Sequence, residues 1–121
     1  DLYPADPLYP GVLAAVTGLV DNLRAMLASG QDNALLRFSL GSALLKDGDA
    51  AGAVEHLAEA LRQDPGYSAA WKLYGKALQA AGDTQAAAGA YEQGVMVAES
   101  KGDKQAAKEM AVFLRRLRRD G

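Results

Sequence analysis

From Val12 onward, apolar residues return every third or fourth position, which is the spacing of one face of an α-helix. Val12, Val16, Leu19, Leu23 and Leu27 form the first row and Gly30 ends it, so the pattern predicts one amphipathic helix over residues 11–29. Similar rows predict helices from about Asn33 to Lys46, Ala50 to Gln63 and Ser68 to Ala81. A fifth follows Gly82-Asp83 and runs on to about Ser100, and a sixth extends from about Lys104 to Arg119. In that last segment Ala106, Met110, Phe113, Leu114 and Leu117 share one face, which suits a helix that closes a stack. The breaks have their own chemistry. Gly48 in Asp47-Gly48-Asp49 can take the left-handed conformation that ends a helix, and Asp49 can accept from the orphan amides of the next. Gly82-Asp83 repeats this turn and Gly102-Asp103 supplies a third such dipeptide, while Ser68 is the expected N-cap of the helix that follows Pro65.

The rows themselves recur. Arg37-x₂-Leu40-Gly41-x₂-Leu44, Gly48-Asp49 and Ala53-x₃-Leu57 are matched 34 residues later by Trp71-x₂-Tyr74-Gly75-x₂-Leu78, Gly82-Asp83 and Ala87-x₃-Tyr91. This period and order of residues resemble the tetratricopeptide repeat. The layout, including Asp32 to Phe38 ahead of the first copy and Val112 to Leu117 near the end, is similar to that of small bacterial proteins of that family. The expected fold is therefore all-α: a short α-solenoid of helix-turn-helix hairpins, about six helices in three antiparallel pairs. An extended arm over 1–10 would precede a single domain over 11–121, with the N-terminal helix at 11–29, repeat one at 34–67, repeat two at 68–101 and a closing helix at 103–119. Stacking should bury Leu40, Leu44 and Leu57 against Trp71, Tyr74 and Leu78, while Gly41 and Gly75 let paired helices approach closely. Three positions depart from the family pattern: Arg37 stands for its Trp, Gly94 for its Ala and Glu99 for its Pro.

The resemblance implies a non-enzymatic module that binds a peptide or protein segment in a groove lined by the first helix of each repeat. Carried onto this chain, the lining positions are Leu35, Phe38, Ser42 and Leu45, with Lys46 beside them, and then Ala69, Lys72, Lys76 and Gln79. Such a groove would be apolar at one end and basic at the other, fitting a segment with an apolar or aromatic anchor and an acidic group. Equally, Leu35, Phe38 and Leu45 can pack on the N-terminal helix, and Lys72 and Lys76 can be solvated. Chaperone-binding members hold a carboxylate with Lys and Asn where this chain has Phe38 and Ser42, which argues against that role.

Composition narrows the alternatives. Half of the residues are hydrophobic and none is cysteine, so disorder, a disulfide framework and a thiolate nucleophile are poor readings. Nucleotide-binding glycine loops and the serine elbow are missing, the single His56 has no Cys partners, and Asp47, Asp49 and Glu55 lack the alternating ligands of a calcium loop. No cofactor or metal is expected. The charge is uneven: residues 1–60 hold eight acids and three bases, and residues 61–121 hold seven acids and ten bases. That balance does not mark a nucleic-acid binder, although Arg115, Arg116, Arg118 and Arg119 form a basic run suited to a helix C-terminus. The longest apolar run, Gly11 to Val20, is about half of the roughly 20 residues a membrane span needs. It also lacks the basic lead of a secretory signal, and the compartment is left open, with the cytoplasm favoured. Pro4, Pro7 and Pro10 make residues 1–10 an extended arm, whose Leu2, Tyr3, Leu8 and Tyr9 suit docking into a groove of the same or a neighbouring molecule. Self-association through that arm is the alternative function.

Overall fold

The computed structural model describes residues 18–120; the arm, the first part of the N-terminal helix and Gly121 lie outside them. Among the described residues six helices follow one another: α1 (Leu19–Ala28), α2 (Ala34–Lys46), α3 (Ala50–Gln63), α4 (Ser68–Ala80), α5 (Thr84–Ser100) and α6 (Lys104–Asp120). Each packs on the next in the chain. The most extensive contacts are within α2/α3 and α4/α5, the hairpins of the two repeats, and between α5 and α6.

The turns form as their residues dictate. Gly48 and Gly82 have φ near +89° and +88°, a conformation that L side chains rarely adopt, and each is followed by an Asp that caps the next helix. Asp49 Oδ1 accepts from the Gly52 amide at 2.9 Å and Asp83 Oδ1 from the Ala86 amide at 3.1 Å. The entry to α4 differs from expectation. Tyr67 is its N-cap, without a side-chain cap bond, and Ser68 is already helical. The Ser68 hydroxyl is instead 3.3 Å from Asp103 Oδ2, so it links the start of α4 to the turn before α6.

Small residues set the helix spacing. A Cβ on Gly41 would lie 2.6 Å from Leu57 Cγ, and one on Gly75 would lie 2.6 Å from Tyr91 Cδ1, so α2/α3 and α4/α5 each close across a glycine. Gly94 does the same one step later: its missing Cβ leaves room for the Met110 sulfur of α6 and would stand 2.8 Å from Trp71 Cβ. This departure from the usual Ala is what lets α6 dock. The core is accordingly continuous but layered. Leu40, Leu44, Leu57 and Ala77 lie together with Leu73 and Tyr74 at their edge. Leu78 packs with Ala87 and Ala90, and Tyr91 with Met110, Ala98 and Ala106. Trp71 and Leu78 therefore serve the second repeat and α6; of the expected trio only Tyr74 meets the leucines of repeat one.

Arg37 fills the place of the family's Trp by a different means. Trp71 ties α4 to the preceding loop by donating from Nε1 to the Pro65 carbonyl at 2.8 Å. Arg37 ties α2 to its own preceding loop with two bonds to the Asp32 carboxylate, at 2.8 and 2.9 Å.

Candidate protein-interaction surface

The nine groove positions differ in how far neighbouring helices engage them. In repeat one, Phe38 is half-buried and packs on Tyr67 with ring centroids 4.9 Å apart, and it joins Leu45 at the edge of the core that receives Leu23 and Leu27 of α1. Leu35 is the exception, 66% exposed. It borders a shallow cavity of about 190 Å³ together with Leu23, Met26, Gln31, Leu36 and Ser39. Ser42 is half-buried and Lys46 exposed.

In repeat two the basic positions are engaged by α6. Lys72 Nζ donates to Glu109 Oε1 at 2.6 Å, and Lys76 Nζ lies 5.1 Å from the centroid of the Phe113 ring. The Lys72 ammonium and the Gln105 amide hold the Glu109 carboxyl below the usual glutamate range. Gln79 accepts from the Tyr91 hydroxyl at 2.5 Å, and burial pushes that phenol up to about 12, so it stays a donor at neutral pH. Ala69 is exposed. The helix faces that would form the groove are thus brought side by side, α2 against α4 and α4 against α6, and among the described residues of that row the large exposed apolar side chain is Leu35, at the α2 end.

A polar cluster that the sequence pattern did not single out stands beside the first repeat. Arg37 Nη1 is 3.1 Å from His56 Nδ1, and Asp32 also accepts from Gln63 Nε2 at 2.9 Å. Burial, then the charge of Arg37, holds His56 below the ordinary histidine value, while the Arg37 guanidinium holds Asp32 well below the carboxylate range. The replacement of Trp by Arg at position 37 is the one signal that could have pointed to it. Among the described residues no three or more His, Asp or Glu are grouped to hold a metal ion, and no helix is long and apolar enough to cross a membrane.

Helical hairpins stacked through a 34-residue period, with a side-by-side row of first helices, define a repeat scaffold of the kind that presents a surface to other proteins. The chain belongs to the tetratricopeptide-repeat family: the family's model matches residues 44–107. A TPR repeat-containing protein of Pseudomonas aeruginosa is 58% identical over 101 residues, spanning 84% of this chain and 96% of its own length. The solution structure of a Bordetella parapertussis protein superposes with a TM-score of 0.75 at 49% identity, covering 84% of this chain and 89% of that one. The crystal structure of MamA shares the fold at a TM-score of 0.61 and 20% identity, over 91% of this chain and 73% of that one. Proteins of this family are generally non-enzymatic scaffolds for protein partners.

Proposed function

We propose that the protein binds a peptide or protein segment along the first-helix face, anchored at its N-terminal end. The observation that carries this reading is Leu35, a large apolar side chain left 66% exposed at the lip of the cavity between α1 and α2. A cavity of about 190 Å³ has room for one aromatic or leucine side chain, since engineered cavities of about 150 Å³ admit benzene. From this anchor the segment would run past Ser42 and Ala69 toward Lys72, Lys76 and Gln79. An acidic group on it would have to compete with Glu109 for Lys72, so the apolar anchor supplies most of the affinity and the lysines supply direction.

Affinity capture from the native cell with the wild-type chain beside Leu35→Glu tests the reading. The exposed position lets the variant keep its fold, checked by far-UV circular dichroism. Partners lost in Leu35→Glu are groove ligands; an identical set of captured proteins overturns the assignment.

A further inference from the structure

A second surface lies at the other end of the stack, on a face that the first-helix groove does not use. α6 is 17 residues long, about 25 Å, and its outer side is basic along that whole length. Lys104, Lys108, Arg115 and Arg119 recur at i, i+4, i+11 and i+15, which places them on one stripe at 100° per residue. All four are exposed, and Lys104, Lys108 and Arg115 have no ion-pair partner among the described residues. Arg119 of the stripe pairs with Asp120, and the neighbouring Arg118 pairs with Glu92.

This stripe borders a valley between α5 and α6. Its floor is Val95, Ala107 and Ala111, its rim Lys104, Lys108 and Glu99, and its volume about 390 Å³. Small side chains on the floor allow another helix to approach closely, and the cations stand along one edge where they would meet its flank. We infer that the α5/α6 valley docks an acidic amphipathic helix of a partner protein, its Ala/Leu stripe on Val95, Ala107 and Ala111 and its carboxylates on Lys104, Lys108 and Arg115. A nucleic acid fits less well, because it has no apolar stripe to cover the floor of Val95, Ala107 and Ala111. The proposal is independent of the Leu35 groove, which lies on α1 and α2.

Three probes decide it, each measured by fluorescence anisotropy with the full chain at low and high salt. They are a designed helix whose Ala/Leu stripe is flanked by Glu, the same stripe flanked by Lys, and a generic DNA duplex. The Glu-flanked helix is expected to bind, to weaken at high salt, and to lose about tenfold or more in affinity to the Lys104→Glu/Lys108→Glu/Arg115→Glu variant. Ala111→Trp, which fills the valley without touching the charges, should weaken it as well. Binding that is unchanged in either variant, equal binding of the Lys-flanked helix, tighter binding of the duplex, or no binding of the Glu-flanked helix at low salt would overturn the proposal.

Discussion

Gly75 shows how much one missing methyl group decides. The buried Tyr91 ring occupies the space its Cβ would need, and that ring also carries the bond to Gln79 and the 5.6 Å contact with Phe113 of α6. Gly75→Ala is expected to cost about 1–3 kcal/mol through overpacking. For a domain of this size, each kcal/mol lowers the melting temperature by roughly 3–5 °C. A calorimetric melt unchanged from wild type would contradict the close approach of α4 and α5. A second residue can be read without perturbing the fold, because His56 is the single histidine in the chain. Its ring should titrate below the ordinary histidine value in an NMR pH series, and Arg37→Gln should move that midpoint upward by removing the nearest positive charge. The folded protein binds this proton less readily than the unfolded chain does. Its contribution to stability is therefore present above the unfolded value and is lost as pH falls through the ordinary range toward the folded one.

Between helices, the turns repeat a single device, and its value can be measured one turn at a time. Asp83 caps α5 through the Ala86 amide, and Asp83→Ala should cost about 0.5–2 kcal/mol, seen as a lower urea midpoint with an unchanged slope. Ser68, the cap the sequence pattern expects, does not do this work for α4; Tyr67 occupies that position and the Ser68 hydroxyl reaches across to Asp103. Ser68→Ala should accordingly cost less than Asp83→Ala, and the reverse order would show that the α4 entry is capped after all. The difference between the two turns was legible only after folding. A Gly-Asp dipeptide carries its conformation locally, whereas the partner of Ser68 is 35 residues away.

Across the whole molecule, stability rests on how α6 closes the second repeat. Met110 is fully buried between α6 and the notch at Gly94, and it shares a cluster with Tyr91, Ala98 and Ala106. Met110→Ala is expected to cost about 2–5 kcal/mol in chemical denaturation. Because Trp71 borders the same cluster, its fluorescence should report that loss together with the helix signal, and a cost well under 1 kcal/mol would mean that α6 is not integral to the stack. This docking also reshapes the surface: Glu109 and Phe113 engage Lys72 and Lys76 at the basic end of the expected groove, while Leu35 at its apolar end is exposed.

The sequence by itself determined what is local or periodic. The six helices, the glycine turns with their aspartate caps, the 34-residue repeat and thereby the family all follow from side-chain spacing and backbone conformation, which neighbouring residues fix. Tertiary structure decided what depends on residues distant in the chain. Whether Lys72 is free or paired depends on a glutamate 37 positions later, and whether Phe38 lines a groove or packs in the core depends on Tyr67 and on α1. The Asp32, Arg37 and His56 cluster and the valley beside α6 arise in the same way. Periodicity says which side of a helix is apolar; only the packing of one helix on another says which of those side chains remains exposed to meet a partner.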